Sequence, residues 1–259
     1  MHALRRPAGL ALFALLSASC AARAADCPAD HDKLEKALKS SVKPSGGPSN
    51  GGFDNNEWAV LVTRDGAICA VAMSGASPDD QWLGSRAIAA EKANTAIAMS
   101  LKGSAISTAN LYAGAQPGGY LYGLAATDPV NPGVLNAGDP SKYGTDSDPF
   151  VGKRLGGVVT FGGGLALYDG NKNVVGALGV SGDSSCADHN VAWRVRQALG
   201  LDKVPGGVGP DHNDEIIYDM TPNMPSPSGF GHPECKDKAA EVAQQIHSGF
   251  VPRWMQSEK

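Results

Sequence analysis

GGVVTFGGGLALYDGNKNVVGALGVSGDSSCADHNVAWRVR, residues Gly156–Arg196, is the stretch from which the rest of the chain can be read. Three short apolar runs, Val158–Phe161, Leu165–Tyr168 and Val174–Val180, predict strands. Gly162-Gly163-Gly164 and Asp169–Asn173 separate them as turns. A polar loop, Ser181–Ala187, then leads into a helix over Asp188–Leu199 that Gly200 stops. Strands closed by tight turns and followed by a helix point to an antiparallel sheet with helices laid on it.

The upstream sequence extends this pattern. Glu57–Thr63 and Ala67–Met73, joined by Arg64-Asp65-Gly66, read as a hairpin. Ser77-Pro78-Asp79-Asp80 offers a cap, a proline suited to the first helical position and acids at the positive helix end, predicting a helix over Gln81–Met99. That helix is rich in alanine, so it can lie close to a sheet. An earlier helix, His31–Val42 with Asp30 as its cap, ends at the flexible PSGGPSNGG run. Residues 103–155 lack periodicity and read as a long irregular insertion, with a short helix over Ser104–Ala113. Tyr112, Tyr120, Tyr122 and Tyr143 argue that this insertion is ordered, because tyrosines usually pack. A Pro- and Gly-rich extension follows residue 200, and a short helix over Lys236–His247 closes the pattern. The fold class is α+β: a five-stranded, mostly antiparallel sheet with flanking helices.

Composition agrees. With 33 glycines and only 6% aromatic residues, the 259-residue chain suits a turn-rich sheet domain better than a helical bundle. Residues 1–24 read as a signal peptide: Arg5 and Arg6, a short apolar run Leu10–Leu16, and the cleavage site Ala22-Arg23-Ala24. The apolar run is too short for a membrane span. A lipoprotein reading through Leu16–Cys20 is weakened by Ser17, which stands where that signal wants leucine. Cleavage removes Arg5, Arg6 and Arg23 and no acid, so the net charge of −4 becomes −7. An acidic mature chain without a basic stripe argues against a nucleic-acid surface. The expected divisions are a helix and linker over 25–56, a domain over 57–200 and an extension over 201–259, in a protein that is periplasmic or secreted.

Export sets the reading of the cysteines. Cys27, Cys69, Cys186 and Cys235 remain after cleavage, an even number in an oxidising compartment. Of the three pairings, Cys186–Cys235 with Cys27–Cys69 is expected. Closing the loop of roughly 50 residues between the first pair stabilises by about 4 kcal/mol in the chain-entropy model. The same region has metal-like spacing, Cys186-Ala187-Asp188-His189 and His232-Pro233-Glu234-Cys235, which could offer two thiolates and two imidazoles to zinc. In an exported chain the two cysteines read as a disulfide instead.

The last helix of the opening stretch carries the candidate site. At about 100° per residue, Val191, Val195 and Ala198 share a face suited to the sheet. His189, Trp193 and Arg196 share the opposite face, where an imidazole can bind metal, an indole can stack and a guanidinium can pair with carboxylates. The plainer reading of this stripe is a solvated helix face. The Ser181–Ala187 loop adds a helix N-terminus that can hold a small carboxylate, unless Ser184, Ser185 or Asp188 simply caps the helix. Asp211, His212, Asp214 and Glu215 read as a solvated loop, and His31 and His247 as exposed helical positions. Neither a dinucleotide fingerprint nor a nucleophile elbow is present.

Residues 57–200 resemble the GlcG/HbpS-like family, also called DUF336 or haem-degrading domain proteins. The resemblance rests on the Arg64-Asp65-Gly66 hairpin, the helix segment Ala90–Ala96, Gly156-Gly157 and, most strongly, Val175–Gly182. It implies a profilin-like α/β/α layer on a five-stranded antiparallel sheet, assembly into homo-oligomers, and, for some members, haem binding. Lys92 falls in the family's helix motif. The resulting expectation is an exported, oligomeric haem-binding protein. His189 is the iron-ligand candidate, with Trp193, Arg196 and Lys92 beside it. A second reading is an enzyme or accessory protein for a small hydroxy- or oxo-acid, bound at the Ser181–His189 turn. His189 would act there as acid or base, with Lys92 or Asp188. A third is a ligand-free interaction module. No complete catalytic constellation is present, so binding is favoured over catalysis.

Overall fold

The computed structural model describes residues 26–44, 49–222 and 226–248. The expected signal peptide lies outside them. Four longer helices, α1 (His31–Val42), α2 (Ser85–Met99), α3 (Ser185–Ala198) and α4 (Ala239–His247), surround four strands, β1 (Trp58–Thr63), β2 (Ile68–Met73), β3 (Gly164–Tyr168) and β4 (Val174–Ser181). The strands form one antiparallel sheet in the order β2-β1-β4-β3.

Strand periodicity sorts the core into two layers. Trp58, Val60 and Val62 of β1 turn toward α2, where they meet Ala89, Ala90, Ala93 and Ala96. Ala59 and Leu61 turn to the other face and pack with Leu178, Val180 and residues of α1 and α3, including Leu34, Leu38, Val191 and Val195. Both faces are covered, so all six residues of β1 are buried and the strand reads as a continuous apolar run. The alanines of α2 bring its backbone onto the sheet. A Cβ built on Gly179 would stand 1.9 Å from the carbonyl oxygen of Ala89, so β4 needs a glycine where the helix crosses.

The sheet has four strands, not five. Val158–Phe161 is apolar enough to read as a strand, but α2 side chains bond this stretch at Val159 and at the preceding Gly157. Asn94 Nδ2 donates to Gly157 O (2.8 Å), and Val159 N donates to Thr95 Oγ1 (3.0 Å). The outer edge of β3 is met by irregular chain, with Thr108 N donating to Gly164 O and Tyr168 N to Leu201 O.

The insertion is ordered, though only two of its tyrosines explain why. Tyr143 and Phe150 sandwich the guanidinium of Arg86, at 3.8 and 3.5 Å from the ring centroids, and Arg86 is paired with buried Asp148. Tyr112 lies against His232. Tyr120 and Tyr122 are 67% and 66% exposed and pack little. The expected helix over Ser104–Ala113 is instead two short turns, Ala109–Leu111 and Tyr112–Ala115. The longer helix starts at Ser85 rather than Gln81, because the Ser77 capping box closes only a single turn over Pro78–Asp80.

Both expected disulfides are present. Cys27–Cys69 ties the segment before α1 to β2, and Cys186–Cys235 ties the extension to the start of α3. Among the described residues no helix is long and apolar enough to cross a membrane.

Candidate functional site

α3 begins at Ser185, three residues earlier than the sequence suggests. The Ser184 side chain accepts from Ala187 N at 3.4 Å and acts as the cap. Asp188 reaches back, and its Oδ1 accepts from Gly182 N (3.1 Å) and Asp183 N (2.8 Å). Cys186 N donates to Cys235 Sγ. Most backbone donors of this turn therefore have partners inside the chain, and the geometry lends no support to a carboxylate held there.

Lys92 and Asp188 form a buried knot at the end of the sheet. Lys92 Nζ donates to Asp188 Oδ2 (2.6 Å) and Val180 O (2.9 Å), lies 3.4 Å from Ser181 Oγ and faces the Phe161 ring at 5.0 Å. Burial raises the Asp188 carboxyl to about 6, against the pull of the Lys92 ammonium. Beside them sits Glu57, also buried, with no hydrogen-bond partner for Oε2. Burial, and then the charges of Asp188 and Asp183, push its carboxyl well above the usual range. Gly163, at φ 119°, passes directly under this knot, where a Cβ would meet Val180 O at 2.4 Å and Lys92 Nζ at 2.8 Å. The Lys92 ammonium is saturated, so it works as a tie between α2, β4 and α3.

The stripe on α3 is not a solvated face. His189, Trp193 and Arg196 are all buried, because the C-terminal extension and α4 lie over them. Arg196 makes two hydrogen bonds to Asp214, at 2.7 and 2.8 Å, and a third to Ala166 O. Asp214 is fully buried, which corrects the solvated-loop reading at that residue, since the arginine on α3 draws it inside, while Asp211 and His212 are exposed as expected. His247 is likewise covered, with its ring 4.2 Å from Trp193 and 5.5 Å from His189. It sits on the inner side of α4 rather than the exposed one.

His189 is the unusual member. Neither ring nitrogen has a hydrogen-bond partner, and the side chain is fully enclosed. Burial first, then the neighbouring His247 and Arg196, hold its pKa well below the ordinary histidine value, so the imidazole is neutral. A second buried imidazole, His232, is partnered on both sides. Its Nδ1 lies 2.8 Å from Pro233 O, and Gly162 N donates to Nε2 at 3.4 Å. Sequence reasoning singled out His189 by its helical position, and His232 only by its spacing to Cys235. Glu57 gave no local signal, and Asp214 stood out only as part of a polar cluster, since the groups that surround each come from other elements of the chain.

A family model described as "Haem degrading protein HbpS-like" matches residues 55–196, more than half of the chain. The chain belongs to the HbpS-like family. Two solved structures are similar to it. Klebsiella pneumoniae protein ORFY, of DUF336, is 20% identical with a TM-score of 0.44, over 65% of this chain and 86% of that one. A PduOC–haem complex is 25% identical with a TM-score of 0.45, over 67% of this chain and 94% of that one. No curated protein matches.

Among the described residues of this HbpS-like chain, His189 is the buried imidazole with both nitrogens unpartnered, and its donor chemistry fits haem iron. Iron takes a neutral imidazole with a free lone pair, and His189 supplies it. Arg196 and Lys92 are both engaged with buried carboxylates, so neither is free to meet a propionate in this arrangement.

Proposed function

We propose that this HbpS-like chain is exported and binds haem, with His189 as the iron ligand and Trp193 beside the ring. Membership of the family supports haem, and one observation carries the choice of residue: a buried neutral imidazole with both nitrogens unpartnered. Unpartnered buried polar atoms are costly and rarely kept without a use. Bound haem would supply a redox-active iron. The chain's own part is to present the lone pair of His189 and to exclude water around it. Because α4 covers His189, binding requires Ala239–His247 to move off α3. The proposed homo-oligomer draws support from exposed Phe53, Trp82 and Leu83, apolar side chains that a second copy can cover. The A-x-A site before Ala25 supports export.

Haemin titration of the protein tests the reading. The wild type should give a ligation-dependent Soret shift that His189→Ala loses. A shift of equal size in the variant removes His189 as the ligand. No shift in either protein removes haem.

A further inference from the structure

Two sulfurs and one imidazole that the haem reading does not use converge at the start of α3. The ligand atoms of Cys186, His232 and Cys235 all lie within 4.8 Å of one another. His232 Nδ1 is 4.0 Å from Cys186 Sγ. Both sulfurs already receive backbone N–H groups: Cys186 N points at Cys235 Sγ (3.1 Å), and Cys235 N at Cys186 Sγ (3.2 Å). Ser185 Oγ stands 3.4 Å from Cys235 Sγ. Donors aimed at sulfur, together with the N-terminus of a 14-residue helix, favour thiolates over thiols. A disulfide carries no charge and makes little use of such donors, whereas a metal thiolate does.

We infer that Cys186, Cys235 and His232 form a thiol-dependent zinc site that the disulfide closes and reduction opens. An external dithiol attacks the bond at Cys235, whose side reaches solvent. Two electrons and two protons pass to the protein sulfurs, and the dithiol leaves as its own disulfide. Zinc then replaces the two thiol protons, which go to solvent, and the imidazole of His232 binds through Nδ1. Zinc–sulfur bonds of about 2.3 Å set the two sulfurs about 3.8 Å apart, a separation their side chains reach by rotation. Ligation through Nδ1 gives up the contact with Pro233 and, by the change of tautomer, the long one from Gly162. Three protein donors leave one position of a tetrahedral ion for water or an incoming ligand.

Cobalt(II) is the probe, because its thiolate complexes give sulfur-to-metal charge-transfer bands and intense tetrahedral visible bands. The full chain is reduced with a phosphine, freed of reductant without air and titrated with cobalt(II), with circular dichroism recorded throughout. The expected result is one equivalent bound with these bands, absent from the oxidised chain and displaced by zinc(II). Cys27→Ser/Cys69→Ser should keep the bands, and Cys186→Ser or Cys235→Ser should abolish them. His232→Ala, with His232→Gln as a volume-preserving second variant, should weaken cobalt(II) binding by about tenfold or more. The proposal is overturned if the reduced, folded chain gives no such bands. It is also overturned if reduction unfolds the chain, or if the bands survive loss of Cys186 or ignore both changes at His232. None of these outcomes depends on haem, so the two proposals fail separately.

Discussion

Arg196 is a charge enclosed by protein, tolerated because Asp214 meets it with two hydrogen bonds. Asp214→Ala leaves the guanidinium buried and unpaired and should cost about 3–5 kcal/mol, read as a lowered denaturant midpoint. Adding Arg196→Met should recover much of that loss, since an apolar pair avoids the desolvation penalty. Glu57 makes the opposite case, a buried acid without a hydrogen-bond partner at Oε2. Its folded pKa lies above the unfolded value of 4.5, so the folded state holds the proton more tightly. The associated stability is complete below pH 4.5 and is lost as pH rises toward the folded pKa. Glu57→Gln removes this dependence. Over that window its denaturant stability should gain on the wild type by up to about 1.4 kcal/mol per pH unit. A gap that stays constant between pH 5 and 8 would show that Glu57 ionises freely. Neither residue could be assigned from its neighbours in sequence. Their environments are built by chain segments folded over them, and no local pattern records that.

At the scale of elements, the crossing of α2 over β4 is the tightest constraint. Ala89, Ala93 and Gly179 have side chains small enough for two backbones to touch. Gly179→Ala drives a methyl into the Ala89 carbonyl and must lift the helix, with an expected loss of about 1–3 kcal/mol in denaturant unfolding. A loss near zero would mean that the helix has room the packing does not show. The alanine run and the glycine were visible in the sequence, and so was the helix they belong to. The register that places one over the other was not. Val158–Phe161 is the converse example. Its composition matches a strand, but a strand is defined by its partner, and here Asn94 and Thr95 bond Gly157 and Val159 instead.

The molecule as a whole is a sheet covered on both faces, with its two terminal segments each held by a disulfide. Cys27–Cys69 closes 42 residues of chain and fastens the segment before α1 to β2. Cys27→Ser/Cys69→Ser should lower unfolding stability by about 4 kcal/mol in the chain-entropy model. A drop much smaller than this would mean that the bond constrains the unfolded chain less than the model requires. The Cys186–Cys235 bond anchors the extension that closes α4 over His189, so the covering of the candidate site belongs to tertiary architecture.

From sequence alone came the α+β class, the hairpin, the four longer helices, the family and the expectation of both disulfide pairings. The class, the hairpin and the longer helices rest on local periodicity and turn chemistry. An even cysteine count in a chain read as exported pointed to disulfides without fixing the pairing. The family came from the resemblance of Val175–Gly182 and the other motifs. Only the tertiary structure decided the number of strands, the burial of the His189–Trp193–Arg196 stripe and the partners of Lys92 and Arg196. Helical spacing places side chains on one face. What covers that face depends on the extension, which meets α3 only after the chain has folded back on itself.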